Sequence, residues 1–236
     1  MVWSPAGRAP HHFERWPSAP GARRRLWRPA GKGVPGNLRI VIIGIVEHLG
    51  LFGGSFDPVH LAHLLVAQAA LEELGLTRLF FIPAARSPFK PEREPAPAAH
   101  RLAMLRLALA GRCNCEVDDS EIQRGGLSYT IDTVRSYASR YPGASLYYLI
   151  GADHLPKLPQ WREAGTLAAL TEFVVVPRPA ESLVPPPPPF RVRVLRGFPL
   201  ALSASTVRAR LRAGRSVADL VPAPVAEYIE HNQLYF

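Results

Sequence analysis

The chain has 236 residues, of which 47% are hydrophobic and 20% charged, which predicts a globular protein with a sizeable core and argues against wholesale disorder. No apolar run reaches the roughly 18 residues of a membrane span, so no membrane partner is expected. Its two cysteines, Cys113 and Cys115, lie too close together to bridge each other and are expected to stay reduced in a cytoplasmic protein.

The net charge of +9 is unevenly distributed along the chain. Residues 1–39 hold eight Lys or Arg side chains and one acid, whereas the remaining 197 residues hold 20 basic and 18 acidic side chains. The body of the chain is therefore nearly neutral, and no nucleic-acid partner is expected for it. A nucleic-acid binder that uses the basic leader remains a rival interpretation.

Residues 1–37 are rich in Pro, Gly, Ala and Arg, show no hydrophobic period and are predicted to be a disordered basic leader. Their six prolines would interrupt the amphipathic helix of a transit peptide, and no apolar stretch of a secretory signal precedes Leu38. Residues 38–47 are apolar and form either a strand or a dispensable addition. We expect the domain to occupy residues 48–236 and the cellular protein to begin between Leu38 and His48.

From residue 48 onward, short apolar runs rich in β-formers alternate with helical patterns. The predicted strands are 49–52, 79–82, 146–150, 173–176 and 192–195. The predicted helices are 61–74, 98–110, 131–140, 206–213 and 224–231. This alternation predicts an α/β fold with an open, mostly parallel sheet and helices on both faces. Residues 185–189 are prolines and predict an extended connector, and residues from about 203 to 236 predict a small C-terminal helical part.

The most informative stretch runs from residue 51 to residue 64, where a strand leads through Gly53 and Gly54 into a helix. Ligands of open parallel sheets bind outside the carboxyl ends of the strands, and glycines let the backbone approach them closely. The N–H groups and the positive dipole end of the following helix favour phosphate. His60 and His63 share one helix face, so they supply two imidazole donors for a polyanion.

Other interpretations of this stretch are weaker. A Walker loop would need Gly-Lys-Ser/Thr and a dinucleotide fingerprint would need Gly-x-Gly-x-x-Gly, and neither is present. Metal binding by His60 and His63 would need a third ligand and usually a wider helical spacing. A lone His-x-x-His is more often structural or solvated, but the preceding glycine turn favours a phosphate site.

Five blocks of this sequence, taken in order, resemble the motifs of the bacterial nicotinate-nucleotide adenylyltransferases, a family of the nucleotidyltransferase superfamily. The blocks are Gly-Gly-Ser-Phe-Asp-Pro-Val-His-Leu-Ala-His at 53–63, Ser-Pro-Phe-Lys at 87–90, Arg-Gly-Gly-Leu-Ser-Tyr-Thr-Ile-Asp-Thr at 124–133, Ile-Gly-Ala-Asp through Trp at 150–161, and Ser-Ala-Ser-Thr-Val-Arg at 203–208. Each block alone is weak evidence, but five in the family's order are strong. The resemblance covers residues 48–236, nearly everything beyond the leader.

The chain departs from the family pattern at four positions. Ser55 and Ser205 stand where Thr is usual, and both keep the hydroxyl. Ala62 replaces a Gly and adds a methyl group near the nucleotide. Phe89 replaces a frequent His, which puts the phosphate contacts of that loop in doubt.

The resemblance implies a Rossmann-like enzyme that transfers the adenylyl group of ATP to nicotinate mononucleotide, giving nicotinate adenine dinucleotide and pyrophosphate in NAD biosynthesis. It implies that His60, His63 and Arg208 are catalytic and contact the phosphates. The implied ATP-binding residues are Gly53, Gly54, Ser55, Phe56, Lys90, Gly151, Asp153, Ser203, Ser205 and Thr206. Mg²⁺ is expected as the cofactor, bound mainly through the ATP phosphates rather than by a protein metal site.

The resemblance also places nicotinate mononucleotide against Tyr129, Thr130, Trp161 and Arg162, with Trp161 stacking on the pyridine ring. Read alone, Trp161 also fits core packing, Asp153 and the Ser203 block fit helix caps, and Lys90 fits a solvated loop. Rival functions are transfer to nicotinamide mononucleotide or phosphopantetheine, and a non-catalytic nucleotide-binding module. The sequence leaves the oligomeric state open, a homo-oligomer included.

Overall fold

The computed structural model describes residues 46–86, 88, 94–177, 186, 188–197 and 200–236. The predicted leader 1–37, residues 38–45 of the segment 38–47, and residues 185 and 187 of the connector lie outside the described residues. Those described belong to one compact unit, Gly44–Phe236. Within them, no helix has the length and apolar character needed to cross a bilayer.

Strands and helices alternate along most of the described chain. The strands are β1 (His48–Gly54), β2 (Arg78–Pro83), β3 (Cys115–Val117), β4 (Ser145–Gly151), β5 (Glu172–Val176) and β6 (Val192–Val194). The α-helices are α1 (Leu61–Leu74), α2 (Ala98–Leu109), α3 (Ser120–Arg124), α4 (Thr130–Arg140), α5 (Ala164–Leu170), α6 (Ala204–Arg212) and α7 (Ala223–His231). A 3₁₀ helix, Ala152–Gln160, connects β4 to the segment before α5.

The described strands form one six-stranded sheet in the order β3-β2-β1-β4-β5-β6, and every neighbouring pair is parallel. The predicted open, mostly parallel sheet is therefore confirmed, and the observed strands are all parallel. The strands next in the chain after β1 and after β4 lie on opposite sides of the β1–β4 pair. This reversal leaves a crevice at the carboxyl ends of β1 and β4, the usual ligand position in such sheets.

Each face of the sheet carries its own buried core. On one face Phe52, Phe81 and other strand side chains pack against α1, α2, α6 and α7. On the other face Leu51, Tyr148 and their neighbours pack against α4, the 3₁₀ helix and α5. The two cores follow from the alternation of side chains along each strand. The prediction of helices on both faces is confirmed.

The C-terminal helices belong to the same core as α1. Val207 on α6 and Ile229 on α7 are fully buried in it. His100 on α2 and the hydroxyl of Tyr228 on α7 are joined by a hydrogen bond of 2.9 Å. The C-terminal part therefore covers one face of the sheet and reaches the end of the molecule that carries the glycine turn.

Sequence patterns missed the elements that are short or irregular. The edge strand β3 has three residues, α3 has five and α5 has seven. The 3₁₀ helix contains Pro156 and Pro159, which lack the N–H groups that an α-helix needs. The longer predicted elements are confirmed, including the end of α1, where Gly75 adopts a left-handed backbone with φ of 59°.

Candidate active site

The candidate site lies where β1 and β4 end. Gly53 and Gly54 close β1, and Gly151 closes β4, its neighbour in the sheet. On the other side of β1, Gly54 is in register with Pro83 at the end of β2. The glycine turn therefore opens into the crevice that the strand order creates.

The two glycines of the turn are required by packing. A Cβ at Gly53 would lie 2.3 Å from the hydroxyl oxygen of Tyr148, and a Cβ at Gly54 would lie 3.1 Å from the ring of Phe56. Phe56 itself has a left-handed φ of 47° and is 1% exposed, with its ring in the core. Its side chain is therefore unable to contact a ligand, and the predicted ATP contact of Phe56 is restricted to its backbone.

His60 and His63 form a stacked pair at the beginning of α1. Their ring centroids are 3.7 Å apart with an interplanar angle of 24°. The backbone N–H of His60 donates to Nδ1 of His63 at 3.2 Å. Because Nδ1 accepts this bond, the neutral ring of His63 carries its proton on Nε2. The structure thus presents Nε2–H of His63 as a hydrogen-bond donor.

Burial keeps both rings neutral at physiological pH. It lowers the pKa of His60 to about 4. The pKa of His63 is also lowered well below its usual value, first by burial and then by the nearby His60. The pair therefore offers neutral N–H donors, and a bound polyanion would favour its protonation.

One predicted donor at the helix N-terminus is already occupied. The N–H of Leu61, the first residue of α1, donates to the carbonyl oxygen of Leu220 at 2.9 Å. The N–H of His63 donates to the carbonyl oxygen of His60. The expectation that the first-turn amides of this helix meet a phosphate is therefore wrong for Leu61, because the C-terminal segment uses that group.

Arg208, on the second turn of α6, reaches the glycine–histidine loop from 151 positions away. Its Nη1 donates to the carbonyl oxygen of Asp57 and lies 3.8 Å from the Asp57 carboxylate. Arg208 is 6% exposed and Asp57 is 1% exposed. The guanidinium of Arg208 is therefore buried against the loop. We call Asp57, His60, His63 and Arg208 the histidine cluster.

The N-terminus of α6 carries exposed hydroxyl groups. Ser203 is the N-cap, and its Oγ accepts from the backbone N–H of Thr206 at 3.2 Å. The same Oγ lies 2.8 Å from the Ser205 hydroxyl and 2.9 Å from the Thr206 hydroxyl. The interpretation of this motif as a helix cap is confirmed. The phosphate contact stays a prediction, because a capping residue and a bound phosphate can occupy the same helix N-terminus.

The predicted nicotinate contacts converge at the ends of α4 and the 3₁₀ helix. The guanidinium of Arg162 lies 4.8 Å from the centre of the Tyr129 ring. The ring of Trp161 meets that of Tyr148 edge to face, with centroids 6.4 Å apart. Thr130 donates a long hydrogen bond of 3.4 Å to the Tyr148 hydroxyl. We call Tyr129, Thr130, Tyr148, Trp161 and Arg162 the aromatic cluster.

Comparison with known proteins places this geometry in a family. A family model described as cytidylyltransferase-like matches residues 51–210. A relative from Gemmatimonas aurantiaca, named a probable nicotinate-nucleotide adenylyltransferase, is 43% identical over 197 residues, which cover 79% of this chain and 92% of the relative. A relative of the same name from Bordetella pertussis is 41% identical and covers 80% of this chain and 98% of its own length. The chain belongs to the nicotinate-nucleotide adenylyltransferase family.

Solved structures share the fold of this family member. A nicotinic acid mononucleotide adenylyltransferase from Plasmodium falciparum, solved with NaAD, has a TM-score of 0.66 at 17% identity and covers 80% of this chain and 97% of its own. A putative nicotinate-nucleotide adenylyltransferase from Vibrio parahaemolyticus has a TM-score of 0.60 at 15% identity. At such low identity these likenesses establish the nucleotidyltransferase fold.

Two predicted residues sit at the end of β4. Gly151 is the N-cap of the 3₁₀ helix, so the alternative role of Asp153 as that cap is wrong. Asp153 lies in the first turn, where its carboxylate is 3.7 Å from Nε2 of His154. Lys90 and Phe89 lie outside the described residues, so the predicted contact of Lys90 stays a prediction.

Sequence reasoning missed several residues whose contacts shape the candidate site. Asp57 lies inside the first motif block. A carboxylate between a glycine turn and a proline could have been singled out from the sequence. Arg101 interrupts an apolar helix, which is a signal, and it donates to the carbonyl oxygens of Ser55, Ala84 and Ala96 while only 2% exposed. Tyr148 and Tyr235 gave no signal, because aromatic residues in a strand and at a chain end look ordinary.

Proposed function

We propose that this protein transfers the adenylyl group of ATP to nicotinate mononucleotide, giving nicotinate adenine dinucleotide and pyrophosphate, as a step of NAD biosynthesis. The observation that carries the proposal is the close approach of Gly53, in the turn that leads to the histidine cluster, to Tyr148 of the aromatic cluster, whose hydroxyl would lie 2.3 Å from a Cβ at Gly53. The identity to the Gemmatimonas and Bordetella relatives supports it.

The reaction needs no protein base. The 5′-phosphate of the mononucleotide is already an anion at neutral pH and attacks the α-phosphorus of ATP. The protein's task is to hold two polyanions in line and to stabilise the charge that develops on the leaving pyrophosphate. The N–H donors of His60 and His63 and the guanidinium of Arg208 are suited to that task.

We assign the remaining ATP contacts to the ends of β1, β4 and α6. The backbone of residues 53–56 borders the phosphates, with Ser55 positioned by the bond of its carbonyl oxygen to Arg101. Gly151 and Asp153 follow β4, where a carboxylate can accept from ribose hydroxyls. Ser203, Ser205 and Thr206 add hydroxyl donors for the β- and γ-phosphates, while the Thr206 amide is engaged by the Ser203 cap. Lys90 would approach them from the loop after β2.

We propose that Mg²⁺ accompanies ATP and is held chiefly by phosphate oxygens and water. The Asp57 carboxylate is engaged by Ala96, Tyr235 and Arg208. In the described part of the chain, no three metal-binding side chains converge. This donor set suits a metal that arrives with the nucleotide, where it neutralises phosphate charge.

The aromatic cluster would bind the nicotinate ring. Trp161 supplies a flat surface for stacking, and the backbone around Tyr129 and Thr130 can donate to the nicotinate carboxylate. Arg162 is exposed and lies over the Tyr129 ring, so its charge is close to that carboxylate. A carboxamide would leave these donors mispaired, which favours nicotinate over nicotinamide mononucleotide.

Pyrophosphate release from ATP tests the proposal directly. Purified protein is incubated with ATP, Mg²⁺ and, in parallel, nicotinate mononucleotide, nicotinamide mononucleotide or phosphopantetheine. We expect fast release only with nicotinate mononucleotide. Faster release with either other acceptor would assign the protein to that reaction, and binding of ATP without release for any acceptor would support a non-catalytic module. A variant lacking residues 1–39 should keep full activity, and loss of activity would contradict a dispensable leader.

A further inference from the structure

The C-terminal end of the chain reaches the loop that carries the histidine cluster. Tyr235, the second residue from the end, donates its hydroxyl to Oδ1 of Asp57 at 2.7 Å, across 178 positions of sequence. To bring the ring there, Gln233 and Tyr235 adopt left-handed φ values of 49° and 72°. Such backbone is unfavourable for these residues, so the tertiary contacts must stabilise it.

The two oxygens of the Asp57 carboxylate have different neighbours. Oδ1 accepts from the Tyr235 hydroxyl and from the backbone N–H of Ala96 at 3.2 Å. Oδ2 lies 3.8 Å from Nη1 of Arg208, and the carbonyl oxygen of Asp57 accepts from that same Nη1. Arg208 is therefore contacted by both the backbone and the carboxylate of Asp57, and Tyr235 binds the other oxygen of that carboxylate.

Burial makes this arrangement sensitive to each of its members. Asp57 and Arg208 are almost fully buried, and a buried ion pair is stable only when its remaining polar atoms are hydrogen-bonded. Removal of the Tyr235 hydroxyl would leave Oδ1 with the bond from Ala96 but one bond fewer. The carboxylate oxygen beside Nη1 of Arg208 would then be held less firmly.

We propose that Tyr235 is a positioning residue, which holds Asp57 so that Asp57 orients Arg208 towards the phosphates of the nucleotide. The proposal rests on the role of Arg208 in the proposed function. It makes the last residues of the chain part of the active-site architecture, although they lie beyond every motif of the sequence.

The protonation state of the Tyr235 hydroxyl is consistent with this role. Burial, followed by the charge of Asp57 and the hydrogen bond to it, raises the pKa of Tyr235. The phenol therefore remains protonated throughout the physiological range. It donates to the carboxylate at every pH at which the enzyme would operate.

The test compares two variants that each lose one tyrosine hydroxyl from the same end of the chain. Tyr235→Phe removes the bond to Asp57, whereas Tyr228→Phe removes the bond to His100 on α2, which belongs to neither the histidine cluster nor the aromatic cluster. We expect Tyr235→Phe to lower kcat/KM for ATP about tenfold, the scale of losing a hydrogen bond to a charged group, and to change KM for nicotinate mononucleotide less than about twofold. Tyr228→Phe should behave as wild type in both constants.

A double-mutant cycle shows whether the effect passes through the arginine. In an Arg208→Ala background, Tyr235→Phe should lower kcat/KM for ATP no further. Full additivity, or a Tyr235→Phe variant that lowers the melting temperature while its kinetic constants stay at wild-type values, would assign Tyr235 to stability alone and overturn the proposal. Circular dichroism at the assay temperature confirms that each variant is folded.

Binding of a non-hydrolysable ATP analogue separates this proposal from the proposed function. Calorimetry with α,β-methylene-ATP needs no acceptor, and we expect Tyr235→Phe to weaken binding while Tyr228→Phe does not. If wild type failed to use nicotinate mononucleotide but this difference appeared, the acceptor assignment would fail and the role of Tyr235 would stand. Equal binding by both variants and wild type would overturn the role of Tyr235.

Discussion

The histidine cluster and the aromatic cluster share one crevice but are built differently. In the histidine cluster Asp57, His60 and Arg208 are at most 6% exposed, and hydrogen bonds from Ala96 and Tyr235, distant in the chain, hold the Asp57 carboxylate. In the aromatic cluster Arg162 is exposed and Trp161 is partly buried, and ring contacts predominate.

This difference agrees with the roles that we propose for the two clusters. Charge that develops on a leaving pyrophosphate is stabilised best by donors that are already oriented before the reaction. A flat pyridine ring needs a flat surface, for which edge-to-face packing behind Trp161 is sufficient. Substitutions in the histidine cluster should therefore affect mainly turnover, and substitutions in the aromatic cluster mainly the binding of nicotinate mononucleotide.

The largest effect is expected at Arg208. Arg208→Ala should lower turnover on the order of a hundredfold or more, because a donor to the transition state is lost. It should also destabilise the fold by about 2 kcal/mol or more, because the buried Asp57 carboxylate loses its counter-charge. Arg210→Ala on the same helix is the control, since the Arg210 side chain donates to the carbonyl oxygen of Ser216, outside the histidine cluster. Wild-type turnover in Arg208→Ala would remove it from the catalytic residues.

His63 allows a test of which ring nitrogen donates. His63→Asn places its amide near the position of Nδ1, whereas His63→Gln places it near Nε2. Because Nδ1 already accepts from the backbone of His60, we expect Asn to lower turnover about a hundredfold and Gln to retain distinctly more activity. Steady-state kinetics at saturating substrates measure the difference. Better activity in His63→Asn than in His63→Gln would mean that Nδ1 is the functional atom.

In the aromatic cluster, Trp161→Ala should weaken binding of nicotinate mononucleotide by about 1–3 kcal/mol, the range for losing one stacked base. The KM for ATP should hardly change, because the adenine lies elsewhere. Trp161→Phe keeps a ring and should be affected less. A Trp161→Ala variant that lost ATP affinity instead, or that unfolded, would support core packing as the role of Trp161.

The junction of the two clusters is tested by Gly53→Ala. The added methyl group would lie 2.3 Å from the Tyr148 hydroxyl, so overpacking should cost about 1–3 kcal/mol of stability. Combining it with Tyr148→Phe should recover part of that loss. Gly165→Ala on α5 is the matched control, because its methyl group would meet nothing within 4 Å. Equal melting temperatures for Gly53→Ala and Gly165→Ala would contradict the close approach.

The smallest effect is a pH dependence of stability. The folded pKa of His60 is lowered to about 4, so the unfolded chain binds its proton first as the pH falls. The stabilisation is complete above pH 6.5 and is lost progressively between pH 6.5 and about 4, by about 1 kcal/mol at pH 5.5 for this group. Denaturant titrations of wild type and His60→Gln at pH 7.5 and 5.5 measure it. An equal loss in both proteins would exclude His60 as a source.

Much of the fold was already present in local sequence. Short apolar runs rich in β-formers placed β1 and β5, and helical patterns placed α1 and α4. Gly75 follows α1 in a left-handed conformation, which glycine adopts without strain. The short β3 and the proline-containing 3₁₀ helix escaped, because three residues carry no period and proline removes the usual helical bonds.

The sequence by itself determined the chemistry of the site: two histidines after a glycine turn, an arginine after a hydroxyl-rich cap, and a tryptophan after Gly-Ala-Asp. Only the tertiary structure decided how these groups are held. In the folded chain Arg208 is buried against Asp57, the Leu61 amide donates to the Leu220 carbonyl oxygen, and the Tyr235 hydroxyl donates to Asp57. Burial and hydrogen-bond partners depend on which distant segments meet, and motif spacing records only what lies nearby in the chain.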